Sequence, residues 1–112
     1  SVEVRIRPAG QPARRFIVNP LGTRHDGMII ADNMDCWDAG WNADWRVQTD
    51  KTATGWTATL MLPFSILGGA PDKRTEWEIN FMRHRYNVDR ETSVWAVAGT
   101  GDKTTYGTLV FE

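Results

Sequence analysis

Short runs of alternating apolar and polar residues constrain the fold of this chain more than any other feature. In residues 2–7, Val2, Val4 and Ile6 alternate with charged residues. Successive side chains of a strand point to opposite faces, so this pattern predicts a half-buried β-strand. Glycine and proline separate the runs, and no window has a sustained helical period. The sequence therefore predicts an all-β fold, an antiparallel β-sandwich of the jelly-roll or immunoglobulin-like kind.

Further strands follow from the same pattern. They are predicted at residues 14–19, 43–49, 56–62, 75–83, 93–97 and 106–111. The strands at 43–49 and 56–62 are expected to pair as a hairpin. Phe64 to Leu67 should form one helical turn capped by Gly68. Residues 20–27 are predicted as loop and residues 28–42 as a long irregular loop, which in a compact domain is usually functional or poorly ordered.

Length and charge exclude several classes of protein. With 112 residues the chain is predicted to be a single domain, residues 1–112. Its formal net charge is −1 with both signs interspersed, so it lacks the basic stripe of a nucleic-acid binder. No apolar run approaches the roughly 20 residues that cross a bilayer, so no membrane partner is predicted. Cys36 is the only cysteine, and no intrachain disulfide is possible.

Several segments, in order, resemble the family 9 carbohydrate-binding modules. The most specific match is a Gly-Trp strand running into Pro-Phe-Ser, within residues 55–68. The other matching segments are Ser-Val-Glu-Val at 1–4, Phe-Ile-Val-Asn-Pro-Leu-Gly at 16–22, Trp-Glu-Ile-Asn-Phe-Met-Arg at 77–83, Val-Trp at 94–95 and Tyr-Gly-Thr-Leu-Val-Phe at 106–111. These segments follow one another from Ser1 to Phe111, so the resemblance extends along nearly the whole chain.

The resemblance implies a non-catalytic module that binds an oligo- or polysaccharide and is tethered to a secreted glycoside hydrolase or similar protein. It also implies a secreted, cell-surface or periplasmic location. Family members have further strands before the segment that matches Ser1, so this domain is expected to be partial and to lack the first strands of its sandwich. Edges and part of the core would then be uncovered.

The family holds a sugar between two tryptophans, with a glutamate, an arginine and amides bonding its hydroxyls. Carried over by resemblance, the glutamate matches Glu3. The arginine position holds Ile17, with Arg15 two residues away on the same face. The amide position holds Met82, with Asn80 beside it on the same face, and Asn19 is expected to share this face. We expect an open, polar hollow here.

The two clamp tryptophans of the family are not in this sequence. The first would lie before Ser1, and the second would fall within residues 99–106, which contain no tryptophan. Trp37 and Trp41 lie instead in the polar loop and are candidates for a glycan-stacking platform, with local core packing as the alternative. Trp45 continues their spacing of four. Trp56, Trp77 and Trp95 are predicted to be core residues.

The acidic loop is a candidate metal site. Asp32, Asp35 and Asp38 offer the oxygen ligands that Ca²⁺ takes from loops, although their spacing fits no EF-hand. The resemblance also allows a structural calcium, because family members carry one. An ordinary polar loop is the alternative.

Catalysis is not predicted. Glu76 and Glu78 share a strand face about 6.6 Å apart, as in some glycosidases, but no shielded pocket is implied. His25 and His84 have no metal-ligand spacing with Cys36. Because of Ile17, Met82 and the missing tryptophans, the competing hypothesis is a structural or interaction β-sandwich that has lost sugar binding.

Overall fold

The computed structural model describes residues 1–31, 36–86, 90–94 and 107–111, with the backbone alone for 84–86 and 90–94. In these residues the chain is all-β, as predicted. The strands are β1 (Val2–Arg7), β2 (Arg14–Val18), β3 (Arg24–Ala31), β4 (Cys36–Asp38), β5 (Arg46–Lys51), β6 (Trp56–Met61), β7 (Glu76–Tyr86), β8 (Arg90–Val94) and β9 (Gly107–Val110). No helix within the described ranges has the length and apolarity to cross a membrane.

The described strands form two antiparallel sheets. The larger sheet has the order β4-β3-β2-β1-β7-β8, and β9 also pairs with β7. The first four residues of β7 pair with β9 and its last five with β8, so these two strands share one edge of β7. The smaller sheet is the β5–β6 hairpin.

The two sheets enclose an apolar core. Its buried members are Ile6, Phe16, Trp45, Leu67, Trp77 and Ile79. The hairpin contributes Val47 and Leu60, which are half-buried against this cluster. The inward positions of β1, β2 and β7 are therefore the apolar ones predicted from the alternation, and the antiparallel sandwich-like fold is confirmed.

Two polar side chains of β3 fix the start of the hairpin. The Asp26 carboxylate accepts hydrogen bonds from the Trp45 indole N–H at 2.8 Å and from the Ala43 backbone N–H at 3.1 Å. The Arg24 guanidinium donates to the Trp45 carbonyl and lies over the indole. Trp45 is buried, so these bonds satisfy polar groups that water does not reach.

The predicted strands at 2–7, 14–19, 43–49, 56–62, 75–83 and 106–111 overlap observed strands, and residues 95–97 of the predicted strand at 93–97, Trp95 among them, lie outside the described residues. The prediction of loop is confirmed for residues 20–23 and wrong for residues 24–31. β3 occupies residues 24–31, where Gly27 interrupts the pattern and Met28, Ile29 and Ile30 are apolar in succession. The apolar residues of this segment do not alternate with polar ones, so the strand forms because its backbone pairs with β2 and β4. The short β4 was missed for the same reason.

The predicted helical turn is confirmed as a 3-10 turn at Phe64–Leu67. It ends at Gly68, whose φ is 85°. The Gly69 N–H donates to the Phe64 carbonyl at 2.9 Å. Only glycine adopts this left-handed conformation without a steric cost, so Gly68 acts as the predicted cap.

Candidate functional site

One face of the larger sheet collects the polar residues that the sequence singled out. Arg5 lies opposite Asn80 on β7 and opposite Arg15 on β2, and Arg15 lies opposite Gly27 on β3. Opposed residues of paired strands share a face. We call this surface the polar face. It also includes Glu3, which lies two residues before Arg5 on β1.

Trp37 joins the polar face from β4. It pairs with Ile29, two residues beyond Gly27. The Arg15 guanidinium carbon lies 4.9 Å from the centroid of the indole, and that of Arg5 lies 5.1 Å away. Both distances are within the range of favourable cation–π contacts. The indole is half-buried.

Gly27 provides the space for this cluster. A Cβ atom at Gly27 would lie 3.4 Å from Arg15 Nε and 3.5 Å from Trp37 Cβ. A larger side chain would occupy the volume between the two residues. Sequence reasoning did not identify Gly27, although a glycine inside a strand often marks a close approach.

Two of the predicted sugar-binding residues, Glu3 and Asn80, are buried, and so is Arg5 on the same face. Glu3, Arg5 and Asn80 are 3%, 7% and 1% exposed. Glu3 and Arg5 form an ion pair, and the side-chain Oδ1 of Asn80 accepts a hydrogen bond from the Phe81 backbone N–H at 2.9 Å. The expectation of an open polar hollow is therefore wrong at these residues, which lie beneath the surface beside Trp37.

Arg15 has a different environment from its neighbours. It is half-buried, and among the described residues it forms no ion pair. Arg5 is paired with Glu3, and Arg7 with Glu78 at 3.1 Å. Within the described part of the chain, the positive charge of Arg15 beside the Trp37 ring therefore has no acidic partner.

The structure does not bring Trp37 and Trp41 together. Trp41 packs edge-on against Phe16, with ring centroids 6.0 Å apart. Phe16 follows Arg15 in β2 and points to the opposite face of the sheet. The predicted two-tryptophan platform is thus wrong in its geometry, because Trp41 and Trp45 both contact the core.

Asn19 also lies away from the polar-face cluster. Its side-chain oxygen accepts hydrogen bonds from the Leu21 and Thr23 backbone N–H groups, both at 3.0 Å. These bonds close the turn between β2 and β3. Such a local role is common for asparagine in turns.

The calcium prediction is untested for two of its three residues, since Asp32 and Asp35 lie outside the described ranges. The Asp38 carboxylate accepts a hydrogen bond from the Gly40 N–H at 2.9 Å, within a turn. No group of three or more His, Cys, Asp or Glu side chains in the described residues could hold a metal ion.

A concave feature lies between the two sheets. An open apolar crevice of about 660 Å³ separates β6 from β1 and β7. Its lining includes Val4, Leu60 and Phe81, and Phe81 is 45% exposed although it points toward the core side. The hairpin therefore covers only part of the apolar face of the larger sheet.

The chain was compared with known protein families, with curated proteins and with solved structures, and none of the three comparisons found a match. The class that the fold defines is an antiparallel, sandwich-like β domain. The candidate site is a polar sheet face on which two arginine side chains lie close to one half-buried tryptophan.

Proposed function

We propose that this domain is a non-catalytic carbohydrate-binding module in which Trp37 stacks on a pyranose ring. The observation that carries the proposal is the position of Trp37, half-buried on the polar face with two guanidinium groups within 5.1 Å of its ring. A pyranose has an apolar C–H face that packs on an indole, and its hydroxyls need placed polar partners.

The buried residues have a supporting role in this proposal. Glu3 holds Arg5 in an ion pair, and Arg5 in turn lies over the Trp37 ring. A ring that is held in place loses little conformational freedom on binding, which favours affinity. Arg15 is the group that we expect to donate to a sugar hydroxyl.

Such a module would act through its tethering to an enzyme. Appended to a secreted carbohydrate-active enzyme, it would raise the local concentration of that enzyme on a polysaccharide. We propose that setting and an extracellular or periplasmic location on the strength of the sequence resemblance.

A structural or interaction domain without sugar binding is the second candidate. The burial of Glu3, Arg5 and Asn80 favours it, because these side chains already use hydrogen-bonding capacity inside the protein. A structural role for the polar face would then be to tie β1 to its neighbours.

Titration with a panel of neutral and acidic oligosaccharides separates the two candidates. We expect tryptophan fluorescence to change on binding, and Trp37→Ala to abolish binding. Trp41→Phe is the matched control, since Trp41 lies on the core side and should leave affinity unchanged. Circular dichroism checks that both variants fold.

Gly27 allows an independent test that keeps the tryptophan. Gly27→Ala should bind normally, because its Cβ makes only ordinary contacts. Gly27→Leu should separate Trp37 from Arg15 and weaken binding. A wild-type chain that binds no member of the panel would favour the structural domain, and binding that survives Trp37→Ala would exclude the site.

A further inference from the structure

The charge balance of the polar face points to an acidic sugar. On the polar face, ion pairs join Arg5 to Glu3 and Arg7 to Glu78. Arg15 forms no ion pair with a described residue, and its guanidinium group lies over the Trp37 indole and next to Gly27. A neutral sugar would leave this partly desolvated charge without a counterion.

The placement of Arg15 over a ring suits a carboxylate in particular. A guanidinium over an aromatic ring uses its flat face, and its N–H groups remain available in the guanidinium plane. Those N–H groups match the two oxygens of a carboxylate in a bidentate pair. In a uronic acid the carboxylate is attached directly to the pyranose ring, within reach of a group beside the stacked face.

We propose that the ligand of the Trp37 site is a glycan containing uronic acid, whose carboxylate pairs with Arg15. This inference rests on the proposed function of that site. The attraction is local, because the whole chain carries a formal net charge of −1 and would not attract an anion by its overall charge.

Two matched ligand pairs test the proposal. Trigalacturonate is compared with its methyl ester, and glucuronic-acid-substituted xylo-oligosaccharide with the unsubstituted oligosaccharide. We expect the acidic member of at least one pair to bind about tenfold tighter, as one charge-assisted pair provides. Added salt should reduce this preference.

Variants assign the preference to Arg15. Arg15→Gln should remove the acidic preference, measured as the ratio of the affinities for the two members of a pair. Because the substitution also removes a donor to a sugar hydroxyl, the affinity for the neutral member should fall as well, and only the ratio reports on the carboxylate. Arg46→Gln makes the same charge change at an exposed position on the outer face of β5 and should leave the preference intact.

The outcomes distinguish the two proposals. Equal binding of both members in both pairs overturns the uronic-acid proposal and leaves carbohydrate binding standing. An acidic preference that persists in Arg15→Gln also overturns it. The absence of binding to every glycan overturns both.

Discussion

At the scale of single residues, burial separates the functional candidates from the structural ones. Trp37 and Trp41 are four positions apart in a polar segment, and their sequence context is alike. Trp37 lies in β4 on the polar face, whereas Trp41 follows the turn after β4 and contacts Phe16. The composition of a loop does not determine which side of a sheet each ring reaches, so the sequence alone could not separate them.

The residues of β1 and β2 that share the polar face were predictable from the sequence, but the burial of these residues was not. Alternation placed Glu3 with Arg5 on β1 and Arg15 with Ile17 on β2, and the resemblance put the two strands' residues on one face. The register shows that they share it. Charged residues are almost never fully buried unless they are paired, and the Glu3–Arg5 pair depends on the actual geometry of the strand. The close approach at Gly27 likewise depends on a strand that the pattern did not predict.

Asp26 gives a stability prediction at this scale. Asp26→Ala leaves the Trp45 indole N–H and the Ala43 N–H without their acceptor, so it should lower the free energy of unfolding by about 2 kcal/mol. Urea denaturation followed by tryptophan fluorescence measures the loss. Asp50→Ala, at an exposed position on β5, is the control and should change stability by less than about 0.5 kcal/mol. Equal effects of the two substitutions would contradict the anchoring role.

At the scale of elements, the regular strands were predictable and the irregular ones were not. β1, β2, β5, β6 and β7 have a clear period of two or a strong hairpin signal. β3 and β4 depend on neighbours for their pairing, and they are the strands that join Trp37 to the rest of the polar face. The sequence therefore predicted the scaffold better than the site.

The turn after β6 gives a prediction about backbone conformation. Gly68 and Gly10 both have positive φ, 85° and 68°. Alanine at either position should lower the free energy of unfolding by about 1 kcal/mol, the cost of a left-handed conformation. At Gly68 a Cβ would also lie 3.0 Å from Gln11 Cδ, whereas at Gly10 it meets nothing within 4 Å.

Gly55→Ala is the control for this pair. Gly55 lacks a positive φ, and a Cβ there would meet no atom within 4 Å. Thermal unfolding should rank the variants with Gly68→Ala lowest, Gly10→Ala above it and Gly55→Ala close to wild type. A stable Gly68→Ala protein would show that the cap is dispensable.

At the scale of the whole molecule, the two sheets differ in size. The β5–β6 hairpin covers part of the apolar face of the larger sheet, and the crevice along β6 is the space it leaves. Exposed Phe81 belongs to this uncovered area.

An open crevice should accept added volume. Ala58 lines it, so Ala58→Ile should raise the free energy of unfolding by about 1 kcal/mol through extra apolar contact. Thr57→Ile adds the same strand-forming side chain on the outward face and controls for strand propensity. Chemical denaturation of both variants measures the difference. A loss of stability in Ala58→Ile would mean that this region is already closely packed.

The pairing of β1 with β7 also determines when the domain can assemble. Val2 meets Arg83 and Arg7 meets Glu78, so contacts between residues more than 70 positions apart hold the centre of the larger sheet. Long-range pairing slows folding, because a large loop must close before the contact is gained. During synthesis on the ribosome the β5–β6 hairpin is local and forms early. β1 can pair with the adjacent β2, but its other edge stays unpaired until β7 emerges.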